Sequence, residues 1–471
     1  MKRRYMELSA SSPGRVSLSD MRNGLVLVVV ALYLVLNWGF MLVRLPPGGG
    51  ASGVPVGEIL LFLFFVSVSD VKWLRPFARV IFVFPFLVWW MLGLGRALAG
   101  VPEHGMWALR DATHVVESLF LWVGFVFAAK PESIDRFFNW LRRVLLIASL
   151  YGLTYPFVEF LIPLSPTIDA AAGYTTTILF QYRNTSLLML MEAARRFMAR
   201  SRSLNLGSLL FASLLLAAAI GLFQARTNYL QLIAFMMLMA WLRRSALGKI
   251  GLALTLGMLG LVFVSVSGIE ITGRLGEAIS VEFLIRHFLA IFGIENEGVV
   301  GAARGVGQRL DWWIIIWQQV TSDVWHMLFG LGYGMPLVDF RGLQDTVVRE
   351  PHNSYLSIFG RIGFIGIVAF SWGHLLLLRI WFRAYRLCLS ARYVIGQDRL
   401  LILMVFFVFV WVFSLGEDAF EKPYVAIPYY FFWGVILHYY RHLRRQLNPT
   451  ARAHEPPGRE QETSDAHIVR P

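Results

Sequence analysis

Long apolar runs, repeated along the chain and separated by short polar connections, constrain this sequence more than any other feature. A helix needs roughly 20 apolar residues to cross a bilayer core. Twelve runs qualify or nearly do, at 24–43, 54–69, 77–95, 108–129, 140–161, 174–193, 206–223, 227–242, 249–267, 353–378, 400–415 and 424–440. The stretch 206–242 is continuous but is divided by Gln224-Ala225-Arg226-Thr227-Asn228, a cluster costly in lipid that reads as a tight turn. Composition agrees: 15% of residues are charged, against about 25% in soluble domains. The expected fold is all-α, a polytopic integral membrane protein with about 12 transmembrane helices and one large periplasmic loop between the ninth and tenth.

Lysine and arginine set the orientation. With the N-terminus in the cytoplasm, 30 of the 43 basic residues fall in cytoplasmic segments, and every such segment is basic. Both termini are then cytoplasmic. Most of the net charge of +13 is explained by topology and does not point to nucleic acid. A single cysteine, Cys388, excludes an internal disulfide framework and a multi-cysteine zinc site. The first run is long enough to span and lacks a clear cleavage site, so no removable signal peptide is expected. The surroundings of the chain are membrane lipids.

Four regions follow: a membrane region over 1–267 with about nine helices, a large periplasmic loop over 268–351, a second membrane region over 352–445 with about three helices, and a disordered cytoplasmic tail over 446–471. The loop contains Leu310-Asp311-Trp312-Trp313-Ile314-Ile315-Ile316-Trp317, too apolar for a solvated linker. Residues 308–329 are expected to form a helix at the membrane interface with tryptophans at headgroup level. Gly298, Gly301, Gly305 and Gly307 supply a flexible lead-in, and Gly330-Leu331-Gly332-Tyr333-Gly334 ends the helix. No internal repeat is evident.

Thirteen cations lie where topology does not require them. Arg226 opens an apolar helix on the outer side, where a guanidinium and a helix N-terminus together suit an anion; the alternative is an arginine snorkelling to the surface. Arg309 precedes the tryptophan-rich segment and Arg304 lies among the glycines. Arginine suits phosphate because its planar fork binds two oxygens and stays charged. Arg183 falls mid-span, a functional position by default, unless it pairs with Glu117 or Glu58. Arg361 lies two to three turns beyond His352. His352 and Asn353 stand where the large loop re-enters the membrane; an imidazole there can exchange protons near neutral pH, although the pair could equally cap a helix. No metal cluster and no nucleotide motif is found. Glu417-Asp418 is the only adjacent acidic pair, in a short outer loop.

The segment Pro351-His352-Asn353-Ser354-Tyr355-Leu356-Ser357-Ile358-Phe359-Gly360-Arg361-Ile362-Gly363-Phe364-Ile365-Gly366 resembles the signature of the O-antigen ligase and polymerase superfamily: His-Asn, nine residues, then Gly-x-x-Gly, after a large outer loop. Arg226, Arg309 and the glycine-rich stretch 330–334 are similar to further family features. The resemblance covers roughly 300–370. It implies a membrane glycosyltransferase that uses no cofactor or metal and moves a glycan from an undecaprenyl-pyrophosphate-linked donor to an acceptor hydroxyl at the periplasmic face. The acceptor would be lipid A core or another glycan. Arg226 and Arg309 would stabilise the pyrophosphate, His352 would position or deprotonate the acceptor, and Asn353, Arg304, Arg183 and Arg361 would bind substrate. Two alternatives remain at this point: a polymerase extending lipid-linked repeat units, and, from a different class, a lipid-linked sugar flippase or secondary transporter.

Overall fold

The computed structural model describes residues 18–45, 53–68, 83–169, 175–198, 205–268, 270–290, 300–338, 340–341 and 347–447, without the side chains of residues 83, 169, 300–306, 340, 341 and 347. In chain order the α-helices are α1 (Leu18–Met41), α2 (Val56–Ser67), α3 (Val83–His104), α4 (Met106–Asp111), α5 (Thr113–Glu117), α6 (Phe120–Phe127), α7 (Pro131–Leu153), α8 (Val158–Leu161), α9 (Thr185–Met198), α10 (Leu206–Gly221), α11 (Arg226–Leu242), α12 (Leu247–Val266), α13 (Val281–Leu289), α14 (Val300–Val320), α15 (Val324–Phe329), α16 (Ser354–Ser390), α17 (Val394–Phe413) and α18 (Pro423–Leu447). The strands are three antiparallel two-stranded scraps in connections, including β1 (Arg44–Leu45) with β2 (Val54–Pro55) and β3 (Thr167–Asp169) with β4 (Thr175–Thr177).

This is an all-α membrane protein. Helix occurs at each of the twelve apolar runs. Among the described residues, five helical stretches are long and apolar enough to cross a membrane by themselves: Leu18–Met41, Phe84–His104, Arg244–Val266, Ser354–Ser390 and Val394–Phe413. A sixth is added if the bent pair Pro131–Gly152 and Tyr155–Leu164 counts as one span. Others are shorter: the 12 residues of α2 reach only about 18 Å.

Helix α18 lies at the centre, with nearly every residue from Pro423 to Leu437 buried. It packs on α6 through Gly124 and Gly434, where an added Cβ would overlap the Phe431 and Leu121 carbonyls. Small residues permit this backbone approach, the usual basis of helix association in lipid. Polar contacts between elements sort the connections into two sets. One set joins Lys130 to Ser19, Arg136 to Asp20, Arg243 to Asp398 and Arg399 to Asp135. The other joins Arg183 to Asn37, Gln224 to Glu277, Arg309 to Gly416 and Arg349 to Asp111.

Four local expectations are corrected. The run 108–129 is broken into α4, α5 and α6; at the second break the Ser118 hydroxyl donates to the Val115 carbonyl (2.6 Å) and accepts from Trp90 Nε1 (2.7 Å), a side-chain bond that competes with helix. The run 174–193 is helical only from Thr185. Before it, side chains satisfy the backbone: Tyr151 Oη accepts from Phe180 N (2.5 Å) and Asn37 Oδ1 from Arg183 N (3.2 Å). Arg183 therefore precedes the helix and does not lie mid-span. The lead-in at 298–307 is helical from Val300, so Gly301, Gly305 and Gly307 belong to α14. The expected interfacial helix 308–329 is two helices, restarted where Asp323 accepts from His326 N (2.9 Å) as an N-cap. Of the tail, residues 448–471 lie outside the described residues.

Candidate active site

Helix α16 has 37 residues, about 55 Å by helical rise and far more than a bilayer core of about 30 Å. It is broken at Gly363 (φ 65°). Gly330 and Leu328 press against Gly363 at a place a Cβ would fill. The carbonyls that the break releases are taken by the loop: Leu331 N donates to Gly360 O (2.8 Å) and Gly332 N to Arg361 O (3.0 Å). The segment Ser354–Ile362 is thus held against the large loop, and its N-terminus carries the candidate site.

Asn353 caps that N-terminus, its Oδ1 accepting from Tyr355 N and Leu356 N (both 3.1 Å). His352 has φ 53°, a left-handed conformation that costs a non-glycine residue about 1–3 kcal/mol. The surroundings hold it there. Trp313 Nε1 donates to Pro351 O (3.0 Å), the Trp312 ring lies 6.0 Å from the imidazole, and Ser354 N donates to Ser414 O (3.0 Å). The capping role and the accessible histidine, alternatives in the sequence, coexist on neighbouring residues.

His352 faces the acidic pair in the connection between α17 and α18. Its Nδ1 lies 3.3 Å from Asp418 Oδ2 and 3.5 Å from Glu417 Oε2. Burial alone would lower the imidazole pKa, but the two carboxylates outweigh it and raise it to about 9. Burial likewise opposes ionisation of both acids, yet His352 holds Glu417 and Asp418 below the usual carboxylate range. At neutral pH His352 is an imidazolium. Glu417 also reaches Arg309, whose Nη2 is 3.8 Å from Oε1, while Arg309 Nη1 donates to Gly416 O (3.0 Å). Arg309, Glu417, His352 and Asp418 form one chain of opposite charges.

Two cavities flank this chain. The first, about 610 Å³, is lined by Arg183, Arg226, Arg274 and Arg309, with Glu277 and Glu417 its only acids among the described residues. Arg226 heads α11. Arg226 and Arg309 lie close enough to repel, as do Arg274 and Arg183. The Arg183 guanidinium rests 5.3 Å from the centre of the Trp38 ring. Arg274 is fixed by a loop that Gln224 clamps, accepting from Leu275 N (2.8 Å) and donating to Glu277 O (3.0 Å). Four guanidiniums at one cavity make an anion site of high charge. The second cavity, about 670 Å³, is lined by His352 and Asp418 together with Trp107, Arg110 and Arg349.

Of the residues singled out in the sequence, Arg183, Arg226 and Arg309 line the first cavity, His352 lines the second, and Asn353 supports the histidine. Arg361 lines neither. It is fully buried, with Nη2 2.6 Å from Glu350 Oε1 and 3.1 Å from Asp111 Oδ2, and Nη1 donating to Met335 O (2.6 Å). It ties the loop to α16 and reaches no open space. The Arg304 side chain lies outside the described residues. Sequence reasoning passed over Arg274, Glu417 and Asp418. Arg274 stood among the thirteen cations that topology does not require, and Glu417-Asp418 was noted only as an adjacent acidic pair in a short outer loop.

Residues 211–371 match the family model for O-antigen ligase. This segment is O-antigen ligase-like. It contains Arg226, Arg274, Arg309 and the His352–Asn353 pair. Arg183, Glu417 and Asp418 lie outside the match. No curated protein matches the chain.

Proposed function

We propose that this O-antigen ligase-like protein is a glycan transferase that moves a glycan from undecaprenyl pyrophosphate to an acceptor hydroxyl, on lipid A core or a similar glycan, at the periplasmic face, with both termini cytoplasmic. The observation that carries the reading is the Arg309–Glu417–His352–Asp418 chain, with a four-arginine cavity on one side and a second cavity on the other. The arginine cavity suits the pyrophosphate. As the acceptor oxygen attacks the anomeric carbon, the bond from that carbon to the pyrophosphate oxygen breaks and charge builds on the leaving group. Arg183, Arg226, Arg274 and Arg309 stabilise that charge; a single such donor is worth about 10²–10³ in rate.

The acceptor hydroxyl enters from the second cavity and meets the His352–Asp418 pair. His352 already carries its proton, so it orients the hydroxyl as a cation. The proton leaving the hydroxyl passes to the Asp418 carboxylate, whose Oδ1 has no hydrogen-bond partner among the described residues. Asn353 and Arg361 are positioning residues, and Arg304 is retained as a substrate contact. No metal takes part in this scheme, and transfer is expected to persist in EDTA. A polymerase would use the same chemistry with a second lipid-linked repeat unit as acceptor, so the product separates the two. The test is transfer by the Asp418→Asn variant, expected to fall by about 10²–10⁴ while donor binding persists. A variant at the wild-type rate removes Asp418 from the mechanism.

A further inference from the structure

The second cavity contains a group of cations that the transfer scheme does not use. The Trp107 ring, 44% exposed, carries two guanidiniums: Arg349 at 4.2 Å and Arg110 at 4.5 Å from its centre. Stacking on an aromatic face fixes a guanidinium while leaving its N–H groups free to point elsewhere. Asp111 is the acid nearest both arginines, and it is already divided. Its Oδ2 lies 2.8 Å from Arg349 Nη2 and 3.1 Å from Arg361 Nη2, and it accepts from Gly334 N (3.1 Å). Arg349 Nε is buried without a hydrogen-bond partner among the described residues.

Of the other acids on this wall, Glu350 accepts from Arg361 Nη2 (2.6 Å) and Ser357 Oγ (2.8 Å), Glu421 accepts from Ser354 Oγ (2.7 Å) and Asp418 faces His352, while Glu58 Oε2, Asp418 Oδ1 and Glu421 Oε1 have no hydrogen-bond partner among the described residues. At the Trp107 corner itself, Arg110, Arg349 and Arg361 stand against Asp111 and Glu350, a local positive excess in a cavity distinct from the four-arginine one.

We propose that Trp107, Arg110 and Arg349 form an anion subsite that selects an acceptor glycan bearing a phosphate or carboxylate group. Planar guanidiniums bind either anion through paired N–H donors, and the tryptophan edge offers apolar surface to a sugar face. Arg349 stands three residues before His352, at most about 10 Å of chain, and both line this cavity. One acceptor can thus hold its charged group at the arginines and present its hydroxyl at His352. This inference rests on reading the second cavity as the acceptor side.

The test is equilibrium binding to the full-length protein in phosphatidylcholine nanodiscs. The probes are a phosphorylated acceptor oligosaccharide and the same oligosaccharide after phosphatase treatment. Wild type is expected to prefer the phosphorylated form by about tenfold, the worth of one charge-assisted hydrogen bond. Arg110→Gln is expected to lose most of that preference. Arg349→Lys, which keeps a charge beside Asp111, is expected to weaken it. Equal binding of both probes by wild type, or an unchanged preference in Arg110→Gln, overturns the subsite. So does a finding that Arg110→Gln changes only the retention of added phosphatidylglycerol, which would make the ligand a lipid headgroup. Preferential binding without transfer from any donor leaves the subsite standing and refutes the transferase reading; transfer without preference does the reverse.

Discussion

At the residue scale the decisive fact is the charge on His352. Its folded pKa, about 9, lies above the ordinary value near 6.5. The stability that its ion pairs contribute is therefore fully present below about pH 6.5 and is lost as pH rises through about 9. Because the scheme uses the cation, kcat/KM for the acceptor is expected to be level across neutral pH and to fall above about pH 9. A rate that climbs through that range instead would mean that neutral imidazole is the working form. In the Asp418→Asn variant the alkaline limb is expected to move down toward the ordinary histidine value. Arg274→Ala is expected to lower kcat by about 10²–10³, measured as single-turnover transfer with bound donor; an unaffected rate would restrict the donor site to the other three arginines. His352, Arg226 and Arg309 were legible in the sequence because a cation or imidazole at a membrane boundary needs an explanation. Arg274, Glu417 and Asp418 were not, because an isolated loop arginine and an acidic pair look like ordinary solvated charge until the chain brings them together.

At the element scale, apolar runs foretold where helices lie, and polar detail decided where they break. The break at Gly363 was hidden inside an unbroken apolar pattern. In the sequence Gly363 and Gly366 stand only as the Gly-x-x-Gly of the signature; in the fold Gly363 admits the loop backbone at Gly330 and adopts a positive φ. At Gly366 an added Cβ would meet the Ile362 side chain one turn back. Gly363→Ala is therefore expected to destabilise the purified protein by at least the 1–3 kcal/mol of a strained φ, read as a lower thermal midpoint in detergent. An unchanged midpoint would show that the loop is not seated on the break. The delayed start of α9 was equally hidden, because hydrogen bonds from Asn37 and Tyr151, far away in sequence, hold the preceding backbone out of helix.

At the scale of the whole molecule, the lysines and arginines give each connection an expected side of the membrane. What the sequence could not supply was the convergence of distant connections on one pair of cavities. With Cys388 replaced by serine, Ser322→Cys is expected to react with a membrane-impermeant maleimide in intact cells, and Ser390→Cys only after lysis; both positions are exposed. The reverse pattern would put the site on the cytoplasmic side. The most direct measurement combines purified protein, an undecaprenyl-pyrophosphate oligosaccharide, and either lipid A core or a second lipid-linked oligosaccharide as acceptor, in EDTA. Wild type is expected to yield a glycosylated core or a longer lipid-linked glycan, and His352→Ala a strongly reduced amount. Wild-type yield from His352→Ala, or no product from folded wild type with these or other glycan acceptors, would contradict the transfer scheme.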